Sequence, residues 1–216
     1  MVRLQKDIAI ISGEQLSEYL LCFECEKRFS VWETYVAKRV ARQADDRFPG
    51  LDAIEPSRLP TDKSRRAIDA SALDVDKIAS FAASILWRAS VSSTVPDLSL
   101  GARYDEEFRK FLHGESPFPQ NVRLFFQLLL SDEEMPVDKV MTVPRNMHGD
   151  GHEFYIFAGC GMLMGLVVGD NFPTMYDDFC LVRSRTMVVG LVSTAWRDFI
   201  LSAVQTPDPK GKLARG

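Results

Sequence analysis

The chain has 216 residues, 46% hydrophobic and 26% charged, with a formal net charge of −4 and a pI near 5.5. Such a length buries a sizeable core, as one large domain or two small ones, and the composition is that of an ordinary globular protein. The charge balance excludes a binder of nucleic acid or anionic membrane driven by global electrostatics and leaves only local basic patches.

Four cysteines are too few for a disulfide framework in a chain this long, so a reducing, cytoplasmic setting is expected. The first fifteen residues, MVRLQKDIAIISGEQ, contain no signal-peptide core. The most apolar run, residues 154–168, is shorter than a bilayer span and is broken by Gly159, Gly161 and Gly165, so no membrane partner is expected.

In chain order, residues 4–11 predict a short strand before a turn at Ser12-Gly13. Residues 21–40, LCFECEKRFSVWETYVAKRV, then combine a Cys-x-x-Cys pair with an amphipathic helix. Ser30 and Glu33 have the spacing of a capping box, which predicts that the helix begins at Ser30. Phe29, Trp32, Val36 and Val40 recur on one face of it. A polar connector punctuated by proline follows, up to about Ser71.

Residues 74–90 predict a second helix with an apolar stripe of Val75, Ile78, Ala82, Ile85, Leu86 and Ala89. Trp87-Arg88 reads there as ordinary packing of an Arg along a ring. A third helix is predicted over 103–112, ending at Gly114 in a left-handed C-cap, with His113 as a capping residue. Beyond Pro119 the period becomes two. Val122, Leu124, Phe126, Leu128 and Leu130 share one strand face, and further strands are predicted near 137–143, 152–157, 162–168, 179–182 and 187–192. Thr194 caps a predicted last helix carrying Trp196, Phe199, Ile200 and Ala203.

The expected fold class is therefore α+β: a helical N-terminal half, a mostly antiparallel sheet in the C-terminal half and a final helix. The expected organisation is a knuckle and first helix (1–45), a connector (46–72), a compact unit of helices and sheet (73–205) packed with the first, and a flexible tail (206–216).

Chemistry is concentrated at Cys22 and Cys25. Two cysteines at this spacing place both sulfurs on one side of a turn, which suits half of a tetrahedral zinc site. The same pair also reads as inert free thiols, because unpaired cysteines behave as small hydrophobes. A redox dithiol is the third reading, although that motif precedes a helix in a thioredoxin-like βαβ setting, which the flanking sequence does not show.

His148 and His152 also have a zinc-ligand spacing and with the two cysteines would make a Cys2His2 set. Gly149, Asp150 and Gly151 between them favour instead a hairpin turn with both imidazoles in solvent. Lys27, Arg28, Lys38, Arg39 and Arg42 form a basic set suited to sequence-independent phosphate contacts, or simply a solvated helix face.

Tyr19-Leu-Leu-Cys-Phe-Glu-Cys-Glu26, followed by Phe29-Ser30 and Glu33-Thr-Tyr35, resembles the second knuckle and helix of HNH-like treble-clef proteins. More narrowly it is similar to a group of uncharacterised bacterial proteins that continue into an Ile85-Leu-Trp-Arg-Ala-like helix and a Leu100-Gly-x-x-Tyr104 segment. The resemblance covers residues 13–43, more loosely 80–119, and none of the C-terminal sheet.

In that family an earlier segment carries another cysteine pair and a Ser-His motif, which in HNH nucleases supplies the general base beside a divalent metal. This chain has no histidine before His113 and no cysteine before Cys22. HNH cleavage needs an imidazole to activate water and a metal to neutralise charge on the phosphate.

The resemblance accordingly implies a non-catalytic relative, a binding or assembly module with nucleic acid or protein as partner. It implies no catalytic residue, and zinc is the one cofactor in view. A homodimer is one arrangement that would finish the zinc site. The alternative is a metal-dependent HNH-type nuclease, complete only with a segment upstream of Met1 or with a partner chain.

Overall fold

A computed structural model of the protein describes residues 2–5, 8–11, 20–41, 43, 47–53, 66–93, 98–130, 141–149 and 151–191. Within them the architecture is α+β: helices lead, and a six-stranded, mostly antiparallel sheet follows.

The three long helices are α1 (Phe23–Arg39), α2 (Val75–Val91) and α3 (Ala102–Leu112). In α2 the buried face carries Ile78, Ala79, Ala82, Ala83, Ser84 and Leu86. Small residues along it let neighbouring backbones approach, and α2 contacts both α1 and α3. Asp74 caps α2, accepting the Lys77 amide at 3.1 Å. The α1 side chains Phe29 and Val36 and the α3 side chains Phe108 and Leu112 point into the same core.

The strands are β1 (Val2–Gln5), β2 (Ile8–Ile11), β3 (Arg66–Asp69), β4 (Val122–Leu130), β5 (Arg145–Gly149), β6 (His152–Gly159), β7 (Met162–Val168) and β8 (Thr186–Leu191). Among the described residues β1 and β2 form a two-stranded antiparallel sheet of their own. The large sheet runs β3-β8-β4-β7-β6-β5, and only the β4–β8 pairing is parallel.

Because side chains alternate along a strand, β4 has two faces. Val122, Leu124, Phe126 and Leu128 join Met164, Leu166, Tyr155, Met187 and the helices in one core. Phe125 and Gln127 look the other way, into a cavity of about 440 Å³ that also takes in Phe154, Val167, Tyr176 and Val188.

The structure departs from the sequence expectations in several places. α1 begins at Phe23, with Cys22 as its N-cap, and not at Ser30. No capping box forms, because Ser30 is already inside the helix and its hydroxyl donates to the Lys27 carbonyl at 2.8 Å. Of residues 4–11, expected as one strand, 4–5 belong to β1 and 8–11 to β2. Residues 66–69, expected in the connector, form an edge strand whose register with β8 buries Ile68.

Residues 179–182, expected as a strand, contribute instead to a helical turn. Following α4 (Thr174–Asp178), α5 spans Leu181–Ser184 and is stopped by Arg185 in the left-handed region, φ 53°. So short an apolar run carries no period that separates helix from strand. Of the strand expected over 137–143, residues 137–140 lie outside the described residues, and Met141 makes an isolated bridge to Gly159. The predicted last helix from Thr194 and the tail also lie outside the described residues. No helix among the described residues is long and apolar enough to cross a membrane.

Candidate metal and thiol site

Starting α1 at Phe23 changes what the cysteines are. Cys22 holds the N-cap position with extended backbone (φ −76°, ψ 163°), and Cys25 lies in the helix's first turn. The two sulfurs therefore meet, Sγ to Sγ, at 3.4 Å. On the far side of Cys25 stands His113, whose Nε2 is 3.9 Å from Cys25 Sγ.

Two helix ends create this meeting. α1 presents its N-terminus and α3 its C-terminus, where His113 is the C-cap and Gly114 turns away with φ +74°. The ends are fastened by Arg28, which donates from Nη1 to the Leu112 carbonyl at 3.3 Å. That guanidinium serves an orphan carbonyl of the last turn of α3, one residue before the imidazole. Farther along α1, Arg88 of α2 pairs with Glu33 at 2.8 Å and lies over the Phe29 ring at 5.6 Å. Trp32 stacks on Phe29 at 5.0 Å between centroids. The Arg of Trp87-Arg88 thus lies along a ring, and the ring is Phe29.

The electrostatics of the pair are unequal. The Cys25 amide and thiol, both directed at Cys22, hold the exposed Cys22 below the ordinary thiol value. The same thiol contact, then burial, pushes Cys25 up. A sulfur at the N-terminus of a helix faces unpaired N–H groups, which favours its anion.

In a tetrahedral zinc site the sulfur–sulfur edge is about 3.8 Å and the sulfur–nitrogen edge about 3.5 Å, given the usual bond lengths. The observed contacts depart from these by about 0.4 Å in opposite directions, within reach of small side-chain rotations. Still, among the described residues no three His, Cys, Asp or Glu side chains meet around a common point as a bound metal requires. Cys22, Cys25 and His113 form a chain of contacts and supply at most three of four donors.

His152 does not reach this site. On either side of the turn expected between the two histidines, β5 and β6 pair, with His148 opposite Glu153 and Gly149 opposite His152, and Gly151 has φ +77°. The His152 ring stacks on Phe172 at 4.8 Å and approaches Tyr176 at 5.7 Å. His148 is placed here only through its backbone pairing in β5.

Of the basic set, Lys27, Arg28, Lys38 and Arg39 are exposed along α1, and Arg42 lies outside the described residues. Arg28 is occupied by the Leu112 carbonyl, and Glu24 and Glu26 share the same N-terminal half of the helix. The remaining two cysteines stand apart: Cys160 is half-buried and Cys180 fully buried.

His113 was legible only as a cap. Nothing in its spacing connects it to a cysteine 88 positions earlier. Compared with protein-family models, curated proteins and solved structures, the chain matches none.

Proposed function

We propose that the protein is a non-catalytic, metal-binding assembly module whose zinc is held by Cys22, Cys25 and His113. The observation that carries this reading is the contact of the Cys25 thiol with Cys22 on one side and His113 on the other, at 3.4 and 3.9 Å. Cys22 caps α1 and Cys25 lies in its first turn, which supports reading the pair as a knuckle at the foot of a helix.

A zinc ion there would act structurally. Binding it as thiolate and imidazole complex would tie the start of α1 to the end of α3, adding to the Arg28–Leu112 bond. The fourth donor would come from another part of the chain, from a second copy or from a partner bound at the exposed Cys22 side. A partner supplying a ligand would make assembly depend on metal, in the reducing cytoplasm where free thiols persist.

Cobalt substitution tests the reading. Purified chain titrated with Co²⁺ is expected to show thiolate-to-metal charge-transfer absorption of two sulfurs and tetrahedral bands. His113→Ala is expected to weaken binding, whereas His148→Ala with His152→Ala is expected to leave it unchanged. Absence of any thiolate band in the unsubstituted chain sinks the proposal.

A further inference from the structure

We infer that Cys22 and Cys25 form a reversible dithiol–disulfide couple that reacts with low-molecular-weight or protein disulfides, Cys22 being the attacking thiol and Cys25 the resolving one. The couple itself needs no metal. Its consequence rests on the metal reading: oxidation occupies both sulfurs and would release the ion.

Geometry supports the bond. N-cap and third helical position are one turn apart, so their Cα atoms are about 5 Å apart, inside the range that a disulfide bridges. The sulfurs at 3.4 Å need to approach by only about 1.4 Å more, through side-chain rotation alone.

Access supplies the order of events. Cys22 is exposed, whereas Cys25 is part-buried between Cys22 and His113. An incoming disulfide therefore meets Cys22 first. Cys22, as thiolate, attacks one sulfur of RS–SR. The S–S bond breaks, and the departing RS⁻ takes up the proton that Cys22 released. Cys25 then attacks Cys22 Sγ in the mixed disulfide, expelling the second RS⁻, which takes the Cys25 proton. Two electrons and two protons have passed to RS–SR, leaving two RSH and a Cys22–Cys25 disulfide.

The other thiols are poorly placed to compete, Cys180 being fully buried and Cys160 half-buried on the β6–β7 turn.

The experiment uses the full chain, treated with chelator, confirmed folded by circular dichroism and incubated with glutathione disulfide. Expected is the loss of two thiols, a Cys22–Cys25 linkage in peptide mapping, no lasting glutathione adduct, and full reversal by dithiothreitol. In Cys25→Ser the first step is trapped, and a single glutathionyl group is expected to persist on Cys22. Lasting adducts on both cysteines of the unsubstituted chain, oxidation of Cys160 ahead of the pair, or no adduct in Cys25→Ser overturns the inference. A chain that binds no cobalt yet forms this disulfide refutes the metal reading alone. One that binds cobalt and fails to form it refutes the couple alone.

Discussion

Arg28 of α1 donates to the carbonyl of Leu112, and this one bond stands next to the contact between Cys25 and His113. A side chain with no donor atom to offer a metal thus holds the two helix ends in register. Arg28→Ala is expected to keep the fold and lower cobalt affinity by about tenfold, the scale seen when outer-shell support of a ligand is lost. His113→Ala is expected to lower it further, and Arg28→Lys to restore part of the loss. Equal affinities for all four proteins would show that His113 is no ligand.

Gly50, in the 3-10 turn at Pro49–Ala53, is buried beneath the end of α1. A Cβ there would stand 2.8 Å from the Arg39 carbonyl oxygen and 2.9 Å from Leu73 Cδ2. The leucine methyl is the far end of a flexible side chain and can shift, but a backbone oxygen held at the end of α1 cannot do so cheaply. Gly50→Ala is expected to destabilise the fold by about 1–3 kcal/mol, read from a lower urea midpoint at unchanged slope.

Tyr155 carries the clearest pH dependence. Its hydroxyl donates to the Ser99 carbonyl at 2.8 Å, joining the sheet to the loop before α3. Burial first, then the charges of Glu153 and Asp105, push its pKa up to about 12. The unfolded chain gives up this proton near pH 10, the folded chain two decades later. Stability from this group is therefore complete below pH 10 and falls by about 2–3 kcal/mol as pH rises to 12. In Tyr155→Phe that part of the decline is expected to vanish from denaturation midpoints taken between pH 9 and 12.

Asp74 gives the opposite sign. Burial alone would raise its carboxyl, but Lys77, through ammonium and amide, outweighs this and holds it below the usual range. Its contribution is present above the unfolded carboxylate value and is lost as pH falls through the lower folded one. Asp74→Ala is expected to cost about 1 kcal/mol at neutral pH. The gap between the two proteins should close in acid, and a gap that widens there would remove Asp74 as the cap.

Long, regular patterns were legible without coordinates. α2, α3 and β4 lie where period 3.6 or period 2 repeats, because each repeat adds to the same buried face, and β6 and β7 lie where turn residues bracket apolar runs. β3 was hidden, since four residues show no period and its pairing with β8 is made through backbone atoms that any sequence supplies. The Ser30–Glu33 spacing misled, because a local capping signal loses to a chain already helical before it.

The sequence by itself determined that two thiols would lie close together near the start of a helix, since a spacing of two residues confines them to one turn of chain. Only the tertiary structure decided that the pair opens α1, and that the third group beside it is His113 and not His152. The physical reason is that α3 packs on α2, which packs on α1. The end of one helix and the start of another are thereby brought together by core contacts that no local spacing encodes.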